Sequence, residues 1–222
     1  MAIRRHLPPP TLPHDNADFR RRFRRDVFRI LKGGYDRLNH SRYQAEEEPA
    51  ITGELACAAR TFIEGPGAPA WAARYSVHDD PPVSAAGKRG KRRPRLDIQI
   101  ERTGPGPHPR FGFEAKRLCK GHSGVAAYVG VKGLGALLDG TYCSEDDEAG
   151  MLGYVQSESE QDWADKLSSH FNKNASTRHI CHGGEWREKV AITGLPKCFH
   201  TRHHRKHLMR EITIYHLLLT FV

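Results

Sequence analysis

Apolar residues recur at helical spacing in the first quarter of the chain and at alternate positions in its middle. From Asp15 to Asn39 the stripe Phe19, Phe23, Val27, Ile30 and Leu31 predicts a helix, with Asp15 able to cap its start and Gly33-Gly34 expected to end or kink it. A second helix is predicted over 49–64. Pro49 suits a first turn, Glu46, Glu47 and Glu48 lie where the helix dipole favours negative charge, and Leu55, Ala58, Ala59 and Phe62 form its apolar side. Residues 71–78 read as a first strand. Two alternating segments follow: 95–102 places Leu96, Ile98 and Ile100 on one face, and 110–118 does the same with Phe111, Phe113 and Ala115. Between them runs TGPGPHP, dense in turn formers, so the pair reads as a β-hairpin. Beyond it the pattern predicts a helix within 124–139, a strand over 151–157 and a helix over 157–171 with a Ser157–Glu160 capping box. Two more strands are predicted near 188–201 and 211–222. This order implies one α/β domain with a mixed sheet and an N-terminal helical layer. Residues 1–45 read as a basic arm and helix, and 46–222 as the body.

The hairpin has a geometric consequence. Its loop centre falls between Pro105 and Gly106, and Asp97 and Glu114 are equidistant from that point. In a symmetric hairpin they sit opposite each other and project from one face, and Lys116, two residues beyond Glu114, shares it. Like charges placed opposite normally destabilise a sheet, and a divalent cation between them removes that penalty. All-oxygen ligands of this kind suit Mg²⁺ or Mn²⁺.

Charge sharpens the reading. The 222 residues carry a formal charge of +9, a field that favours polyanions. The run KRGKRRPR leads into the strand bearing Asp97, so Lys88, Arg89, Lys91, Arg92 and Arg93 are candidate phosphate contacts. The Arg-rich helix near 20–29 suits nucleic acid or a partner protein equally well. Five cysteines without a CxxC argue against a disulfide framework and for a reducing, cytoplasmic setting. No apolar run approaches the length of a membrane span, so no membrane partner is expected. The C-terminal CFHTRHHRKH lacks zinc-ligand spacing and reads as a basic, partly protonated surface loop.

Asp97, the sixteen residues that follow it, and Glu114-Ala115-Lys116 resemble the motif of the PD-(D/E)xK nuclease superfamily, with Leu96 standing where the motif has Pro. The resemblance spans about 50–175. It implies a restriction-endonuclease-like core, with a central mixed β-sheet flanked by helices, in a nuclease domain over 46–222. It implies Mg²⁺-dependent (or Mn²⁺-dependent) hydrolysis of DNA, with Asp97 and Glu114 on the metal and Lys116 orienting or activating water. Family members often add an acid from an N-terminal helix, and Glu54 is the matching residue. Arg117 is a further candidate phosphate contact, and Tyr154 and Gln156 candidate neighbours of the site. By analogy the setting is restriction or anti-phage defence, with a partner ATPase, helicase or sensor protein and with self-association left open. The rival reading is a non-catalytic nucleic-acid-binding module on the same fold, which has no need of an intact Asp/Glu/Lys trio.

Overall fold

The computed structural model describes residues 17–83, 89–104, 108–121 and 124–222. Two long helices come first, α1 (Ala17–Tyr35) and α2 (Glu48–Glu64). The proposed cap Asp15 lies outside the described residues. Gly33 and Gly34 stay helical, and α1 ends one residue past them at Tyr35. They serve a close helix crossing: a Cβ on Gly33 would fall 2.4 Å from Phe62 Cγ, and one on Gly34 would fall 2.8 Å from Ala59 N.

The strands are β1 (Tyr75–Asp79), β2 (Ile98–Arg102), β3 (Arg110–Leu118), β4 (Glu148–Val155), β5 (Arg187–Glu188), β6 (Cys198–Arg205) and β7 (Arg210–Thr220). They form one seven-stranded sheet in the order β1-β2-β3-β4-β7-β6-β5. β3 and β4 are parallel, as are β4 and β7, and the remaining pairs are antiparallel. The molecule is therefore α/β with a mixed sheet. The parallel crossover between β3 and β4 carries α3 (Gly124–Val129) and α4 (Leu134–Leu138). That between β4 and β7 begins with α5 (Glu160–Lys173).

Two cores sandwich the sheet. On one face, Val27, Phe28, Ile30 and Leu31 of α1 and Ile51 and Leu55 of α2 pack against Ile98, Ile100, Phe111 and Phe113. α1 thus forms, with α2, a helical layer on this face of the sheet. On the other face, Trp163, Leu167 and Phe171 of α5 pack with Met151, Val155, Ile212 and Leu218. Burial of these apolar faces is the main force holding the helices to the sheet.

Three expectations are corrected. α5 begins two residues later than its sequence suggests: the capping box is Ser159–Asp162, in which each side chain bonds the other's backbone N–H. Ser157 is taken elsewhere, its hydroxyl accepting from Lys120 N at 2.7 Å. Residues 189–197 join β5 to β6 as a connection and not as strand. The His-rich segment is no surface loop. It is β6, with Thr201, His203 and Arg205 turned inward and almost fully buried.

Candidate active site

β3 outlasts β2, and that mismatch makes the site. The β2–β3 pairing runs from Glu101↔Arg110 to Ile98↔Phe113, so residues 114–118 of β3 have no β2 partner while β4 covers their other edge. Extended by one step, this register would set Asp97 opposite Glu114, and the two carboxyls do interact. Asp97 has left the ladder, and its carboxylate takes over the exposed edge by accepting from Ala115 N at 2.6 Å.

Into this notch comes the start of α2. Lys116 Nζ donates to Glu114 Oε1 at 2.9 Å, to Glu48 Oε1 at 2.8 Å and to the Ala115 carbonyl. The α2 acid that reaches Lys116 is Glu48, while Glu54 makes no such contact. Glu54 lies six residues along α2, about 240° round its axis at 100° per residue, and is exposed. Glu48 was read from sequence only as a dipole-favoured residue. Nothing in the EEE run distinguishes which of its members reaches Lys116.

The start of α2 is clamped to the sheet. Gln156, just past β4, donates from its amide to Tyr43 O at 2.7 Å and Glu46 O at 2.8 Å, and accepts from Arg117 Nε at 2.7 Å. Arg117 also pairs with Glu47 at 2.6 Å. Its guanidinium holds the acidic run in place, with Glu47 on one side and Gln156 on the other. Tyr154 is a core residue whose hydroxyl meets Thr52 Oγ1 at 2.9 Å.

The electrostatics follow from burial. Glu114 is 4% exposed, and its carboxyl is pushed up to about 8, first by desolvation and then by the charge of Asp97, with Lys116 only partly offsetting them. Asp97 is raised as well: burial outweighs the Ala115 hydrogen bond and the Lys116 charge. Burial pulls Lys116 downward, but the Glu114 and Glu48 carboxylates prevail and hold it above the ordinary lysine range, fully charged. Tyr142 is pushed up to about 12 by burial and then by the Glu114 and Asp97 charges, a neighbour that sequence reasoning missed because a loop delivers it.

A divalent cation fits this donor set in a limited way. Among the described residues Glu114 Oε2 is buried without a hydrogen-bond partner, an oxygen left open for a cation that would displace any proton on this raised carboxyl. The Lys116 ammonium already sits among three oxygens, so the notch accommodates positive charge. Among the described residues no group of three or more His, Cys, Asp or Glu side chains is disposed to hold a metal ion. Asp97 and Glu114 would supply two carboxylates, and water and substrate the remaining ligands, an arrangement Mg²⁺ commonly accepts.

Arg89, Lys91 and Arg92 are exposed in a short helical turn, and Arg93 is half-buried. Lys88 lies outside the described residues. Among those residues no helix is long and apolar enough to cross a membrane. Comparison with protein-family models, with curated proteins and with solved structures finds no match to this chain.

Proposed function

We propose that the chain is a metal-dependent nuclease that hydrolyses DNA phosphodiester bonds. The observation that carries this reading is the notch itself: Asp97 and Glu114 face each other beside a charged lysine, and one Glu114 oxygen is buried without a partner. A pure binding surface has no use for two desolvated carboxylates, which cost free energy until a cation arrives. The order over residues 48–173 (helix, three antiparallel strands, helices, parallel strand, helix) agrees with the PD-(D/E)xK resemblance and supports a restriction-endonuclease-like core.

In this reading Asp97 and Glu114 would hold Mg²⁺ or Mn²⁺, which when bound would supply polarisation of a phosphate oxygen and a lowered pKa for water. Lys116 donates to the attacking water or to a non-bridging phosphate oxygen, balancing charge that develops as water adds to phosphorus and the ester oxygen leaves. Glu48 keeps the ammonium charged and aimed. Ala115 N fixes Asp97, so the carboxylate pair is set before substrate arrives. The exposed Arg89, Lys91 and Arg92 supply phosphate contacts beside the strand that bears Asp97.

Plasmid DNA incubated with the purified chain and Mg²⁺ should be cut, and excess EDTA should stop the cutting. Cleavage undiminished in EDTA would sink the mechanism. Tight DNA binding by a folded protein that never cuts would favour the non-catalytic module.

A further inference from the structure

A second concavity lies at the sheet edge, where α1 meets the start of β1 and the end of β2. It encloses about 100 Å³, and its lining includes Phe19, Arg22, Asp26, Trp71, Arg74 and Arg102. It is separate from the notch. Tyr75 and Arg102 are register partners at one end of the β1–β2 pair, and Asp79 and Ile98 at the other. Five residues of strand therefore separate Arg102 from Asp97, about 16 Å at ~3.3 Å per residue.

Its charges are unbalanced. Among the described residues, Arg22, Arg74 and Arg102 have no carboxylate at ion-pair distance. Asp26, the acid in the lining, is occupied by others: its Oδ2 accepts from Tyr75 OH at 3.0 Å, and its Oδ1 lies 3.8 Å from Arg29 and 4.0 Å from Arg25. Among the described residues, three guanidiniums therefore line the concavity without an ion-paired carboxylate. The walls are aromatic. Phe23 and Tyr75 stack at 6.2 Å, Trp71 meets Tyr75 edge-on at 5.8 Å, and the Arg102 guanidinium lies over the Phe19 ring at 5.1 Å. Trp71 also carries a buried indole N–H with no acceptor.

Unpaired arginines select phosphate through planar, charge-assisted hydrogen bonds, and aromatic walls select a planar group attached to it. A lipid surface would ask for aliphatic exposure, and an acidic peptide has no need of the rings. The geometry points to a second ligand site that takes a phosphate monoester carried on a planar heterocycle, namely a nucleotide. The volume admits the phosphate and its near neighbours, with the base lying against the aromatic rim. The same chemistry has two sources, a free mononucleotide and the 5′-phosphorylated end of a single strand.

The test is binding by the full chain in EDTA, with no cleavage involved. Fluorescence or calorimetric titrations would use AMP, adenosine, and a ten-residue oligothymidylate with and without a 5′-phosphate. At least one phosphorylated ligand should bind on the order of tenfold or more tightly than its unphosphorylated counterpart. Arg22→Ala and Arg74→Ala, both at exposed positions, should each lose about tenfold of that affinity. Trp71→Phe should remove the fluorescence response while melting near wild type. Preference for AMP identifies a free nucleotide, and preference for the oligonucleotide identifies a strand end. Equal binding of phosphorylated and unphosphorylated ligands, or unchanged affinity in both arginine variants, overturns the site. Asp97→Asn should leave this binding intact, so failure of the nuclease reading and failure of this one are separable.

Discussion

Lys116 Nζ and Glu48 Oε1 lie 2.8 Å apart although 68 residues separate them in sequence. The contact joins the only β3 segment that β2 leaves uncovered to the first turn of α2. It is the reason the site has a helix acid at all.

The first prediction follows from that pair. Glu48→Gln keeps the shape but removes the charge that aims the ammonium, so Mg²⁺-supported cleavage should fall on the order of 10–100-fold. Glu54→Ala should cut at the wild-type rate, because its side chain is exposed and away from the notch. Gln156→Ala should resemble Glu48→Gln in rate and also lower the melting temperature, since three hydrogen bonds at the start of α2 go with it. Plasmid cleavage and thermal melts decide. Equal rates for wild type and Glu48→Gln would remove Glu48 from the site.

Division of labour inside the notch gives the second. Lys116→Ala removes no carboxylate ligand. It should abolish most cleavage, roughly 100–1,000-fold, while Ca²⁺-supported DNA binding persists. Glu114→Gln should lose both metal affinity and cleavage. A folded Lys116→Ala protein that cuts normally would show that the lysine is structural.

A buried polar chain on the α5 side of the sheet gives the third. Tyr128 OH lies 3.1 Å from His216 Nδ1, and Thr201 Oγ1 lies 2.8 Å from His216 Nε2 and 2.7 Å from His203 Nε2. His203 Nδ1 lies 2.8 Å from Arg178 O. Arg178 O can only accept, so His203 carries its proton on Nδ1. Thr201 then donates to His203, His216 Nε2 donates to Thr201, and Tyr128 donates to His216. Both imidazoles are neutral. Burial lowers His203 to about 4, with its carbonyl bond to Arg178 only partly offsetting this, and also lowers His216 well below the ordinary histidine value, with the nearby His203 and His200 adding to the effect. The unfolded chain binds these protons near pH 6.5 and the folded one does not. The contribution of these imidazoles should therefore be flat above pH 6.5 and decline as the pH falls towards 4, by roughly 3 kcal/mol from His203 alone, while the raised Glu114 carboxyl acts in the opposite sense between about 8 and 4.5. Histidine NMR at stepped pH separates the two, and imidazole signals of His203 and His216 that titrate near 6.5 in the folded protein would contradict the neutral chain. Thr201→Val strands one nitrogen on each imidazole and should cost about 1–3 kcal/mol apiece.

The basic run gives the fourth. Neutralising Arg89, Lys91 and Arg92 together should weaken DNA binding and make the slope of log K against log salt shallower, by about 0.9 for each lost duplex contact. Salt titrations of wild type and variant give the comparison. An identical slope would leave the run as a solvated turn.

What the sequence determined is local and periodic. Alternation placed β2 and β3, and the symmetric TGPGPHP connection set Asp97 opposite Glu114, because a period of two leaves little freedom of register once one face must be buried. Helical spacing likewise marked α1 and α2. Tertiary structure decided what depends on contacts far apart in sequence. Whether Gly33-Gly34 breaks a helix or admits a neighbour depends on Phe62 and Ala59 crossing there. Whether CFHTRHHRKH is loop or strand depends on the Arg178 carbonyl and Thr201 satisfying its inward His203, since polar side chains hide the alternation that burial would otherwise show. Whether Glu48 or Glu54 reaches Lys116 depends on how Gln156 and Arg117 hold the start of α2 against the sheet. Local propensity is the same for either glutamate, and only the docked helix sets their distances to the lysine.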